Sequence, residues 1–193
     1  GGSLRTPASF CSVVGFRPSP GRVANGPGEQ RFNDLSVEGP MARNVLDVAL
    51  LLDAMSGWRV EDPIALPPPA EPFLAAAQRR QRPKRVALAI DLGGATPVDR
   101  PTRAIVRQAA DKLADAGIEI VEASPDFSGA MECFHVLRGL GYATNMQALL
   151  ERHRDKLKPD VIWNVEAGMA LTADRIAQAM LTRSRLYGEM VAF

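Results

Sequence analysis

The sequence is poor in cysteine and histidine and has no long apolar run. It has only two cysteines, Cys11 and Cys133. Two cannot set up a disulfide framework, and neither stands at metal-ligand spacing. Both read as small core residues, and a reducing, cytoplasmic compartment is the simplest setting for them. Histidine is as sparse, at His135 and His153. His153 sits among Arg152, Arg154, Lys156 and Lys158 and reads as surface. His135, beside Phe134 on an apolar helical stretch, reads as a core or rim residue rather than a general base. There is no G-x-S-x-G elbow, which argues against a Ser-His-Asp hydrolase. The first residue is Gly1, which argues against an N-terminal nucleophile. No apolar run approaches the roughly 20 residues that span a bilayer. The start also lacks the basic-then-apolar order of a signal peptide.

An excess of either charge is missing too. The 23 basic residues stand against 22 acidic ones, a net charge of +1. That balance favours neither nucleic acid nor an anionic membrane as a partner. The basic cluster Arg79, Arg80, Arg82, Lys84 and Arg85 has no interleaved aromatics and reads as a solvated face. Leu92-Gly93-Gly94 follows a strand-like run, but neither G-x-G-x-x-G nor G-x-x-x-x-G-K occurs. A plain turn is expected there, and no cofactor or metal.

What is present suffices for one globular α/β domain, since 46% of the 193 residues are hydrophobic. Residues 3–12 predict a short helix with Pro7 in its first turn. Residues 13–16 predict a short buried strand, residues 18–32 a loop, and residues 35–37 another short strand. Asn44 caps a helix, with Asp47 three residues on. Val45, Val48, Ala49 and Leu52 share one face of it, and Leu46, Leu50 and Leu51 predict burial on several sides. Gly57 is the expected stop. Pro63, Pro67, Pro68, Pro69 and Pro72 make a stiff connection, and residues 73–81 a short helical piece.

Residues 85–90 predict a strand, and Asp99 with Pro101 opens a helix. Its stripe is Ile105, Val106, Ala109, Ala110, Leu113 and Ala114, and Gly117 follows its end. Residues 118–121 then predict a strand parallel to the first, a right-handed βαβ unit. Residues 127–154 are helical, with Gly139 and Gly141 as a kink or close-packing point. Residues 163–168 read as a break. Thr172 caps a last helix whose Ile176, Met180 and Leu181 face inward and whose Arg183 and Arg185 face out or pair.

The chemistry concentrates at Gly1-Gly2-Ser3. Glycines let the backbone take φ > 0 and approach another group closely. A serine straight after them can present a hydroxyl on a tight loop with converging N–H groups, as acyl transfer needs. Gly-Gly-Ser is also common linker composition, so these three residues alone decide nothing.

The longer string is more specific. Gly1-Gly2-Ser3-Leu4-Arg5-Thr6-Pro7-Ala8, then Gly15-Phe16-Arg17-Pro18-Ser19-Pro20-Gly21-Arg22-Val23, closely resembles the nucleophile segment of the amidase signature family. A second block of that family follows as Gly39-Pro40-Met41-Ala42-Arg43-Asn44-Val45-Leu46-Asp47. Ser12 stands where a glycine is common, Arg17 where lysine is, and Ser19 where threonine is. The resemblance implies a mixed β-sheet flanked by helices, of which this chain is a part. It implies one amidase domain over residues 1–193, incomplete at both ends: signature core 1–61, connection 62–72, then the βαβ unit and helical remainder 73–193. The motif at residue 1 and the apolar helical pattern at residue 193 predict an internal piece of a longer enzyme.

Enzymes of this family use a Ser–Ser–Lys triad, in which a lysine deprotonates a bridging serine that activates the nucleophile. Ser3 matches the nucleophile, and the backbone N–H groups of Gly1, Gly2 and Ser3 match part of the oxyanion hole. The lysine and bridging serine lie upstream of this motif in the family, and Lys84, Lys112, Lys156 and Lys158 match no catalytic position. The chain alone is therefore expected to be inactive. Arg5, Arg22 and Arg43 read as structural ion-pair partners, with substrate binding as the alternative for Arg5. The resemblance implies a small-molecule amide substrate and leaves a homo-oligomer open. Two alternatives stand beside a stand-alone amidase. One is the amidotransferase subunit that releases ammonia for a partner on transfer RNA, although residues 32–38 look more like general amidases. The other is a non-catalytic scaffold domain.

Overall fold

The computed structural model describes residues 2–26 and 30–193. The chain forms two compact units, Gly1–Gln81 and Arg82–Phe193.

The first unit is built from short elements. Helix α1 (Arg5–Phe10) carries Pro7 in its first turn, as expected. It ends in a Schellman turn, with the Val13 N–H donating to the Ala8 carbonyl and the Ser12 N–H to the Ser9 carbonyl. That turn puts Ser12 in the left-handed region, at φ 52. A left-handed backbone costs an L side chain about 1–2 kcal/mol and costs glycine nothing. Strand β1 (Val14–Gly15) pairs antiparallel with β2 (Met41–Ala42). The expected strand over residues 35–37 is absent. Asn33 Oδ1 instead accepts the Leu35 and Ser36 N–H groups, an Asx-type turn that takes those donors away from any ladder.

Helix α2 (Val45–Met55) begins as the sequence reads. Asn44 Oδ1 accepts the Asp47 N–H at 2.9 Å, and its amide donates back to the Asp47 carboxylate at 2.8 Å. The expected stop at Gly57 is replaced by Ser56, whose extended backbone ends the helix. Burial on several sides is not found. Val48, Ala49 and Leu52 are buried, while Val45, Leu46, Leu50 and Leu51 are exposed, because the neighbouring elements of this unit cover one face only. Helix α3 (Phe73–Gln78) packs on α2. Asp53 of α2 accepts the Phe73 and Leu74 N–H groups at 2.7 and 3.0 Å, capping α3 in place of Pro72. This helix thus joins the first unit, whereas the sequence grouped it with the second.

The second unit has longer elements. Strands β3 (Arg85–Leu88) and β4 (Glu119–Glu122) are parallel, joined by α4 (Arg100–Asp115), which is the expected βαβ order. Asp99 caps α4 by accepting the Thr102 N–H at 2.7 Å. Gly117, at φ 84, closes its other end in the same Schellman turn as α1. The stripe on α4 is mostly exposed: Ala110 is buried, while Ile105, Val106 and Leu113 are not.

Helices α5 (Ala130–His153), α6 (Pro159–Met169) and α7 (Ala173–Ala192) complete the unit. The expected break over residues 163–168 lies inside α6. Pro159 starts that helix, and Gly168 lets it lie against Gly139 of α5; a Cβ on Gly168 would sit 2.0 Å from the Gly139 carbonyl oxygen. Close packing rather than a kink explains Gly139. Cys133, Val136 and Ala179 form a core with Leu137, Leu171 and Ile176 around it. Thr172 caps α7 as expected, but Met180 and Leu181 are exposed and Ala179 is the inward residue. Arg185 pairs with Asp126 and donates to the Ser128 carbonyl. Two two-stranded sheets therefore stand among helices, one antiparallel and one parallel. Among the described residues no helix is long and apolar enough to cross a membrane.

Candidate active site

The segment leading into α1 is shaped by Gly2, which has φ +86, a conformation that costs an L side chain about 1–2 kcal/mol. The Gly2 carbonyl accepts the Thr6 N–H at 2.7 Å, and the Leu4 carbonyl accepts the Ala8 N–H at 3.2 Å. Ser3 sits on the turn so formed and is exposed. Its N–H and that of Gly2 have no acceptor among the described residues. Donors ahead of a helix are commonly left unpaired in this way, and an incoming anion can take them. Of the three candidate oxyanion residues, Gly2 and Ser3 share this turn, and Gly1 lies outside the described residues. An exposed hydroxyl beside unpaired N–H groups can serve nucleophilic attack with oxyanion support.

The two sequence blocks meet here. Val14 pairs with Ala42 and Gly15 with Met41, and the Phe16 N–H donates to the carbonyl of the fully buried Pro40 at 3.0 Å. Farther along, the loop after β1 is tied to residues 61–67. Leu66 N–H donates to the Gly21 carbonyl at 2.8 Å. Asp62, 3% exposed, accepts the Asn25 and Ile64 N–H groups at 2.8 and 3.0 Å. Sequence reading passed over Asp62; an acidic residue just before a proline gives no signal that it will be buried.

The three arginines behave differently from the expected ion pairs. Arg22 donates to the Pro67 carbonyl at 2.7 Å and lies over the Phe73 ring at 5.6 Å, so its role is structural but not ionic. Arg5 and Arg43 are exposed and form no ion pair among the described residues. Both histidines belong to the second unit and are exposed, so His135 is no core residue; its ring meets that of Phe134 edge-on at 5.8 Å. The cysteines divide. Cys133 is buried, its thiol donates to the Ala179 carbonyl, and burial pushes its pKa up. Cys11 is exposed, contrary to the core reading, because α1 has only Ala8 turned inward.

The chain resembles known proteins in sequence and in fold. The chain is 33% identical over 163 residues to "Putative amidase AmiB2" of Mycobacterium bovis, covering 82% of this chain and 33% of that protein. It is 33% identical over 138 residues to a glutamyl-tRNA(Gln) amidotransferase subunit of Prochlorococcus marinus, covering 71% of this chain and 28% of that protein. Among solved structures, a bacterial aryl acylamidase of the amidase signature family superposes with a TM-score of 0.86 at 23% identity. At that identity the likeness is one of fold. The superposition covers all of this chain and 41% of the acylamidase. The chain thus spans about a third of the curated relatives' length and under half of that solved fold. The family model for Amidase matches residues 1–185, and with those two signature blocks paired beside Ser3, the chain belongs to the amidase signature family.

Proposed function

We propose that the whole protein hydrolyses a small carboxamide through an acyl-enzyme on Ser3. The observation that carries this reading is the turn at Gly2, which leaves Ser3 exposed beside N–H groups that have no acceptor among the described residues. Ser3 Oγ attacks the amide carbon, and its proton passes to the bridging serine and lysine of the family triad. The Gly1, Gly2 and Ser3 N–H groups hold the oxyanion, each donor contributing about 2.7–4 kcal/mol. The C–N bond breaks as the leaving nitrogen takes a proton from the relay. Water then hydrolyses the ester and restores the serine.

No lysine or histidine occurs within residues 1–83, and Lys84, Lys112, Lys156 and Lys158 match no position of the family relay. The 193-residue chain is therefore inactive by itself in this reading, and the full-length gene product is active. A screen of simple amides against that product tests it. Ser3→Ala should lower kcat by roughly 10⁴-fold or more. Wild-type turnover that survives Ser3→Ala overturns the nucleophile. Turnover by the 193-residue chain that Ser3→Ala abolishes overturns the missing relay.

The similarity to the amidotransferase protein favours a second reading, in which the amide is glutamine and the ammonia passes to a partner protein. Hydrolysis of glutamine but not of anilides or aliphatic amides would select it. A cytoplasmic setting goes with both readings.

A further inference from the structure

We infer that Gly15 and Gly39 are positioning residues: their bare α-carbons form a steric seat for Leu4 and so set where Ser3 stands. The inference rests on the reading of Ser3 as nucleophile. Ser3 is held from its N-terminal side by the bond from Thr6 N–H to the Gly2 carbonyl. On its C-terminal side it is held through Leu4. A Cβ on Gly15 would lie 2.6 Å from the Leu4 carbonyl oxygen and 2.8 Å from Ala8 Cβ. A Cβ on Gly39 would lie 2.9 Å from Leu4 Cδ1 and 2.3 Å from the Phe16 carbonyl oxygen. The Leu4 carbonyl also accepts the Ala8 N–H, so it cannot turn aside without opening the first turn of α1.

Neither glycine is there for its backbone freedom. Gly2 and Gly21 have positive φ, but Gly15 and Gly39 do not. An alanine at either position is free of φ strain, and its whole effect is contact. The seat is also stiff from below. Gly15 pairs with Met41 across the β1–β2 ladder, and the Pro40 carbonyl that follows Gly39 accepts the Phe16 N–H. A Cβ on Gly15 meets the Leu4 carbonyl before anything else and displaces Leu4, and Ser3 moves with its neighbour; a Cβ on Gly39 presses on the Phe16 carbonyl first and on the Leu4 side chain after it. A shift of about 1 Å at a reacting group can cost about a hundredfold in rate.

The test uses the full-length gene product with an activated anilide, and reads kcat, KM, melting temperature and labelling of Ser3 by a fluorophosphonate. Gly57→Ala is the control, because a Cβ there meets nothing within 4 Å. Gly15→Ala is expected to lower kcat and the labelling rate by roughly ten- to a hundredfold, with KM changed less than about threefold. Gly57→Ala should match wild type. A Gly15→Ala protein with wild-type kcat, or one in which KM alone rises, overturns the seat. Should Gly15→Ala fail to fold, Leu4→Ala decides, since it removes the side chain that Gly39 seats, adds no bulk and keeps the carbonyl that Gly15 seats. A fall in kcat of about tenfold at an unchanged melting temperature supports the inference, and an unchanged kcat overturns it. Ser3→Ala separates the two levels. If it is dead while Gly15→Ala and Leu4→Ala are normal, only the seat fails. If it is active, the nucleophile reading fails first.

Discussion

The two compact units keep their shapes by different means. In Arg82–Phe193 the work is done by long helices, α4 and α7 with side-chain caps, and by a small core and a glycine-on-glycine contact. In Gly1–Gln81 the elements are short, and side chains reaching backbone groups hold them in place: Asp53 onto α3, Asp62 onto Asn25, Arg22 onto Pro67. The first kind of structure announces itself through periodicity. The second is specified by single residues whose partners lie 20 to 45 positions away. The candidate active site belongs to the second kind, where a fixed loop matters more than a large core.

Substitutions in the two units can break this contrast. The largest stability loss should come from Gly168→Ala, whose Cβ would collide with the Gly139 carbonyl where neither backbone can yield. Overpacking of that kind costs about 3 kcal/mol. Denaturant unfolding should show it, with hydrogen exchange rising in α5 and α6 and not in residues 2–26. Asp62→Ala should follow at about 2 kcal/mol, because it strands the Asn25 and Ile64 N–H groups. Its exchange signature should be confined to the loops around residues 21–25 and 61–67. Wild-type protection there in the mutant would contradict the strap.

Removing the α2 cap with Asn44→Ala should cost about 1 kcal/mol, read as a lower denaturant midpoint at an unchanged slope. The two Schellman turns then allow a like-for-like comparison. Ser12→Gly should stabilise the first unit by about 1 kcal/mol, while Gly117→Ser should destabilise the second by a similar amount. Equal responses of the same sign would refute the idea that left-handed backbone sets both. The smallest effect concerns pH. The Thr102 N–H holds the Asp99 carboxyl below its ordinary range. Its folded value is depressed, so its contribution is full above the unfolded carboxylate pKa and fades as pH falls through the folded one. Asp99→Asn keeps a capping acceptor that does not titrate, and should flatten the acid side of the melting-temperature profile.

Legibility in the sequence followed the same division. The caps at Asn44, Asp99 and Thr172 and the βαβ order were readable, because each rests on neighbours within a few residues or on a helical repeat, whereas Gly139 left a kink and close packing both open until Gly168 met it. The strand expected at residues 35–37 failed because one side chain, Asn33, captured the backbone donors a ladder would need. The break expected in α6 failed because Gly168 looked like a stop and is a contact. Leu50 on α2 and Leu181 on α7 were expected to be buried and Ile105 belonged to the stripe of α4, but burial needs a partner element, and all three are exposed here.

For the site, the order of residues determined the motif: a glycine pair, a serine, a short helix tolerant of proline, and a second block some way downstream. It also determined that no histidine could lie close along the chain. Folding decided what sequence order cannot express. It paired the second block with the strand behind the serine and brought two bare α-carbons against Leu4. It also left Ser3 exposed beside N–H groups that have no acceptor among the described residues. The reason is physical: local preference and periodicity are carried by near neighbours, whereas steric fit between distant backbones exists only once the chain has closed on itself.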